Sequence, residues 1–154
     1  MIFSVETAAA PPKQRPYILN LSTSHILQRM KDLDTFPGTY SITRGVHAAS
    51  VASLDNTLII LEDLGRHNAV DKVVGYCFLN EIKTEDKLLL TTGRITSEVL
   101  IKAARSNFPI VISRSSASSL AIHLARQSGI DVVTYVRGGR FNYFSHGSTE
   151  LKSD

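Results

Sequence analysis

The spacing of apolar positions changes period several times along this chain, and each change marks an element. In "STSHILQRMKDL", Ile26, Leu27, Met30 and Leu33 keep helical spacing behind Ser22 or Ser24, either of which can cap the first turn. "FPGTYSITRG" shows no such period and reads as a loop or short strand. "VHAASVASLDNTLIILED" reads as two strands about an Asp55-Asn56 turn. From there the pattern is regular. A strand over Leu58–Leu61 precedes a helix over about Asn68–Asn80, and a strand over Lys87–Leu90 precedes a helix ending near Ser106. A strand over Pro109–Ile112 precedes a helix ending near Gln127, then Val132–Val136 leads through "RGGR" to "FNYF" as the last strand. Short strands alternating with helices predict an α/β layer fold with a largely parallel core.

The helix after "EDLGRH" has an apolar stripe in which Val70, Val73, Val74, Cys77 and Phe78 fall at i, i+3, i+4, i+7 and i+8. Cys77 sits within that stripe and reads as a buried, inert thiol. At the other extreme, "AAAPPKQRP" opposes any helix, so residues 1–16 read as a leader or linker and 17–154 as a single domain.

Composition narrows the class. A chain of 154 residues, 43 % hydrophobic and 20 % charged, is ordinary globular material for one domain. The net charge of +3 suits an anionic ligand, but the lysines and arginines are scattered, so no nucleic-acid partner is expected. No apolar run approaches the length of a membrane span, and the first residues lack the charged start and apolar core of a signal peptide. The single cysteine excludes an internal disulfide and fits a reducing, cytoplasmic setting.

The densest polar segment is "EDLGRHNAVDK", where Glu62, Asp63, Arg66, His67, Asn68, Asp71 and Lys72 stand between two apolar runs. Asn68 reads as the helix N-cap, with Asp71 favouring the positive end of the helix dipole. Capping does not account for Arg66 and His67 ahead of the helix. In an open parallel sheet, ligands sit beyond the carboxyl ends of the strands. Every joint here brings arginine, glycine or hydroxyls to that edge: Gly65-Arg66-His67; Gly93-Arg94 with Thr96 and Ser97; Arg114 with Ser115, Ser116 and Ser118; and Arg137-Gly138-Gly139-Arg140. Glycines admit a ligand to the backbone, hydroxyls and helix N-termini donate, and arginines pair with phosphate, so the four together describe an anion pocket. There is no Walker sequence, no dinucleotide G-x-G-x-x-G, no H-E-x-x-H, no C-x-x-C and no G-x-S-x-G. "VHAAS" places Ala49 where a zinc nucleoside deaminase would have glutamate. Zinc is therefore not expected.

These residues resemble a known family. "EDLGRHNAVDKVVG", then "TGRITSEVLIKAARSNFPIVISRSSASSLAIHLARQSGIDVVTYVRGGRFNYFSH", with "GVHAA" upstream, is similar to the C-terminal domain of the formate dehydrogenase accessory sulfurtransferase family (FdhD), over about Phe36 to His146. The resemblance implies a three-layer α/β/α, cytidine-deaminase-like fold with a mixed, largely parallel sheet, dimeric and without the deaminase's zinc. It implies sulfur taken from a cysteine desulfurase as a persulfide and passed to bis-molybdopterin guanine dinucleotide, the cofactor of formate dehydrogenase. It places the guanine-dinucleotide site on Tyr135, Val136, Arg137, Gly138, Gly139 and Arg140, with Arg66, His67, Arg94 and His47 as further binding residues. Two departures stand out. The family's sulfur-carrying cysteine belongs to a C-x-x-C segment where this chain has "SVETAAAPPKQRP", and Arg44 stands where the family's T-G-G-x-H-A-A pattern has glycine. The expectation is a domain that binds cofactor without carrying sulfur. The alternatives are a nucleotide-acting hydrolase or transferase using Asp63 or His67 as base, and an interaction module with an empty pocket.

Overall fold

A computed structural model describes residues 18–154; the expected leader lies outside them. Three strands, β4 (Leu88–Thr91), β5 (Ile110–Ser113) and β6 (Asp131–Arg137), run parallel in the middle of a six-stranded sheet. β2 (His47–Ala52) lies antiparallel beside β4, β3 (Thr57–Asp63) is antiparallel to β2, and β7 (Arg140–Phe144) is antiparallel to β6. The sheet is thus mixed, and the parallel part is limited to the strands joined by crossover helices. A parallel pairing needs such a crossover, whereas short turns at Asp55-Asn56 and Gly138-Gly139 close antiparallel hairpins.

Helices cover both faces. α3 (Arg66–Leu79), α4 (Ser97–Arg105) and α5 (Ser119–Ser128) bury Val70, Val73, Leu100 and Leu124 against Ala49, Val51, Leu89, Val111 and Val132. On the opposite face α1 (Thr23–Thr35) packs Ile26, Met30 and Leu33 on Leu88, Leu90, Ile110, Ile112 and Val133. Successive residues of β4 and β5 point to alternate faces, and both faces are covered, so these strands are continuously apolar rather than alternating.

Three elements differ from the sequence pattern. "TYSIT" forms a short helix, α2 (Thr39–Thr43), rather than a loop or strand. Its free amides are satisfied from a distance: the Glu62 carboxylate accepts from Thr39 N at 3.0 Å and Tyr40 N at 2.9 Å. A contact across that much chain leaves no local signal. Helix α3 begins at Arg66 with Gly65 as N-cap, so Asn68 and Asp71 are inside the helix and do not punctuate its start. Finally, β1 (Leu19–Ser22) and β8 (Thr149–Lys152) form a small parallel sheet of their own. Its anchor is Asp131, fully buried, which accepts from Thr149 N at 2.7 Å and Tyr143 Oη at 3.1 Å. Buried carboxylates persist where such donors replace water.

Cys77 is buried as expected, at 4 % exposure, whereas Phe78 next to it is 83 % exposed and leaves the core stripe. The step of about 100° per residue carries it off the sheet-facing side. Ser22 is the cap of α1, accepting from His25 N at 3.2 Å, while His25 Nδ1 accepts from Ser22 N at 3.1 Å.

Candidate functional site at the carboxyl edge of the sheet

Strands β3, β4, β5 and β6 all end at one edge of the sheet, where antiparallel β2 begins with His47. The residues singled out from the sequence gather there in two groups on opposite faces.

The first group lies on the α3 face. Gly93, just past β4, lies so close to Arg66 that an added Cβ would stand 2.7 Å from Arg66 Cβ and 3.3 Å from His47 Nδ1. Glycine is required here by space. Thr92 Oγ1 accepts from Ala48 N at 3.0 Å and lies 3.3 Å from His47 Nδ1, to which its own proton is free to go. Burial first, then the Arg66 guanidinium, holds His47 below its ordinary value of 6.5, so the ring is neutral at neutral pH. The Nε of Arg66 is enclosed without a hydrogen bond. Nδ1 of His67 is 3.4 Å from Glu98 Oε2, and Arg94 is exposed at the approach to α4.

The acids of this region have structural partners. Asp63 pairs with Lys72 Nζ at 2.8 Å and accepts from Gly65 N at 3.0 Å and Asn68 Nδ2 at 3.3 Å. Lys72, then Gly65 N, pull its carboxyl down to about 2. A carboxylate so fully engaged and so acidic is no general base at neutral pH. Lys72 also donates to the Glu62 carbonyl at 2.8 Å.

The middle of the edge is stitched together. Ser113 Oγ donates to Gly93 O at 2.6 Å, Ile95 N to Ser116 O at 2.9 Å, and Tyr135 N to Ser115 O at 2.9 Å. Thr96 and Ser118 cap α4 and α5, accepting from Val99 N at 3.4 Å and Ala121 N at 3.1 Å. The serine-rich joint is thereby explained as capping and cross-linking. Arg114 pairs with Asp34 of α1, whose carboxylate also lies 3.4 Å from Arg44 Nη1.

The second group lies on the α1 face. Arg137-Gly138-Gly139-Arg140 is a hairpin turn between β6 and β7, not a strand-to-helix joint, with φ of 60° and 71° at the two glycines. Positive φ at both central positions is what a two-residue hairpin of this hand requires, and glycine adopts it without strain. Just before it, Tyr135 is held at φ 55° where the β6–β7 register shifts. A non-glycine residue there is strained, and such strain collects at functional sites. The Tyr135 ring is exposed, and the Arg137 guanidinium lies over it at 5.5 Å. Arg140 is exposed too. Between the hairpin and α1 is a groove of about 330 Å³, lined by Leu27, Met30, Asp34, Val136, Arg137 and Gly138. The space above both glycines is open.

Arg44 shows what the departure from the family's pattern means locally. It ends α2 at φ 55°, a conformation that favours glycine, and its guanidinium stacks 4.5 Å from the Tyr40 ring. Asp34, a helix residue with no chemical pattern around it, pairs with both Arg44 and Arg114, and the sequence carried no signal for it. Among the described residues no cluster of metal-ligating side chains occurs, and no helix is long and apolar enough to cross a membrane.

The chain is a mixed α/β domain with basic, glycine-bearing turns at the carboxyl edge of its sheet, the edge at which open α/β sheets take their ligands. The description of the FdhD/NarQ family matches residues 2–150, and the chain belongs to that family. It is 42 % identical over 128 residues to the sulfur carrier protein FdhD of Bacillus subtilis (strain 168), a match covering 83 % of this chain and 49 % of the relative. It is 34 % identical over 152 residues to FdhD of Staphylococcus aureus (strain Newman), covering 99 % of this chain and 57 % of that one. The crystal structure of a protein described as a formate dehydrogenase accessory protein, from Desulfotalea psychrophila, superposes with a TM-score of 0.77 at 34 % identity, over 88 % of this chain and 59 % of the other. The chain therefore spans about half the length of the curated relatives it matches. The match reaches well upstream of Phe36, where the sequence motifs began.

Proposed function

We propose that this domain is the cargo-holding part of a sulfur carrier of the FdhD type, and that its cargo is the guanine-dinucleotide end of the molybdenum cofactor destined for formate dehydrogenase. The observation that carries this reading is the open groove at the hairpin, lined by Arg137, Gly138 and Gly139, with Arg140 exposed on the same turn. A nucleotide's phosphates need cations and close backbone approach, and its base needs a flat face. The two arginines, the uncovered glycines and the Tyr135 ring supply these.

His47, Arg66, His67 and Arg94 belong to the same reading as a second row of contacts. Three inter-strand steps, about 14 Å, separate the strand of His47 from that of Tyr135. A dinucleotide cofactor is long enough to lie along such an edge. His47 then offers Nε2–H as a neutral donor, while Arg94 meets an anionic group. The chain's own residues bind and orient in this account. Cys77 belongs to the core and not to sulfur transfer: it is buried, and desolvation pushes its thiol up.

The reading extends to a cytidine-deaminase-like fold in three layers, a cytoplasmic setting, a homodimer, and docking by a cysteine desulfurase and by formate dehydrogenase. The family resemblance supports each of these. Titration calorimetry with guanosine diphosphate tests the core of it. The chain is expected to bind, and Arg137→Ala with Arg140→Ala to weaken binding by about tenfold or more. A folded chain that takes up no guanine nucleotide would sink the proposal.

A further inference from the structure

Arg44 stands where the backbone favours glycine. It ends α2 with φ at 55°, in the left-handed region that a residue with a Cβ enters only under strain. Nothing in the fold calls for a cation there. Asp34 already has Arg114 on one carboxylate oxygen, and Tyr40 Oη donates to the other at 3.4 Å. A single arginine neutralises that acid. Arg44 brings a second guanidinium to it, with Nη1 3.4 Å from Oδ1. Two cations on one carboxylate leave a positive charge in excess, and the chain holds it with a strained residue. Strain of this kind collects at functional sites.

The geometry is that of a seat for an anion. Arg44 and Arg114 reach different oxygens of the same carboxylate, so their guanidinium groups converge. The Tyr40 ring, 4.5 Å from the Arg44 guanidinium, fixes its plane. The Arg44 side chain is 51 % exposed and that of Arg114 34 %, against 18 % for Asp34, so the acid lies beneath and the cations face outward. The pairing engages Nη1 of each arginine, and a guanidinium has further donors in the same planar fork. Both arginines are at the carboxyl edge of the sheet: Arg44 is three residues before His47 of β2, and Arg114 directly follows β5. Asp34 is the one acid lining the hairpin groove, where Lys31 and Arg137 also stand.

We infer that Arg44 and Arg114 form a phosphate-binding subsite of their own, which takes a phosphate or pyrophosphate group on their outward edges. Asp34 acts as a positioning residue: it holds both guanidinium groups in place before the ligand arrives, so less freedom is lost on binding. The subsite uses other arginines than the hairpin and does not depend on which nucleotide the hairpin holds.

Titration calorimetry of the chain with inorganic pyrophosphate tests it, with urea unfolding and guanosine diphosphate binding measured on the same samples. The wild-type chain is expected to bind pyrophosphate. Arg44→Gly should weaken that binding by about tenfold or more. The urea midpoint should hold or rise, because glycine relieves the strained backbone as the pairing is lost. Arg44→Lys keeps the charge without the planar fork and should recover only part of the affinity. A folded wild-type chain that takes up no pyrophosphate overturns the subsite. So does an affinity unchanged in Arg44→Gly, whether or not the urea midpoint falls, because Arg44 is then a brace for the fold. Guanosine diphosphate binding in Arg137→Ala with Arg140→Ala reports separately on the hairpin.

Discussion

Two arginine-bearing corners occupy the same edge of one sheet, and they are built oppositely. At the start of α3, Arg66 is pressed against Gly93 and His47, and Asp63, Asn68 and Lys72 satisfy one another. At the β6–β7 hairpin, Arg137 and Arg140 are exposed, the glycines have open space above them, and Tyr135 holds a strained backbone. The first corner is dense in charge because it is a structural joint whose charged groups hold one another. The second is sparse in the sequence and open in space. Charge density along a chain is thus a poor guide to where cations stay unpaired, because charges that are close in sequence usually neutralise one another locally.

Substitutions separate the two corners. The largest effect is expected from Gly93→Val, which must displace Arg66 and the end of β4; overpacking of this kind costs about 1–3 kcal/mol, read from urea unfolding. The contrast is Gly138→Ala, where there is room but φ is positive. Its cost should be about 1 kcal/mol, from backbone strain alone. If the two substitutions cost the same, the distinction between a packed and an open corner fails. Removal of ligand-facing charge should invert the order: Arg137→Ala leaves the melting temperature in place and weakens guanosine diphosphate binding, whereas Asp63→Asn loosens the fold before it touches affinity.

The smallest effects are pH dependences, and they belong to the packed corner. The Asp63 carboxyl is depressed from 3.8 to about 2, so its contribution is present above 3.8 and is lost as pH falls towards 2. Asp63→Asn should flatten the stability profile in that window. His47 is also depressed, from 6.5, so the folded chain resists its protonation and loses stability as pH falls below 6.5. His47→Gln should remove that slope, measured by urea midpoints from pH 7 to pH 5. Hairpin variants should leave both windows unchanged.

Much of the architecture was legible. The helix of Ile26, Met30 and Leu33, the four apolar strands and the serine caps follow from period and from the chemistry of the first helical turn. The family, too, was legible from one long polar string. What misled was the assumption that neighbours in sequence define an element's end. Asn68 looked like a cap, yet the chain enters the helix at Arg66, because Asp63 turns back to hold Gly65 N and Asn68 from outside. Phe78 fitted the apolar stripe by number, but a cleft beside α4 leaves it outside the core.

The sequence by itself determined the strands and helices of the regular stretch from β2 to β7, and which residue types reach the carboxyl edge of the sheet. Only the tertiary structure decided the rest. It sent Arg114 to Asp34, packed Arg66 over Gly93, and left Arg137 free at a groove walled by α1. The reason is range. Period and capping act over a few residues, whereas the partner that neutralises an arginine, or fails to, is chosen by how distant elements stack on the two faces of the sheet.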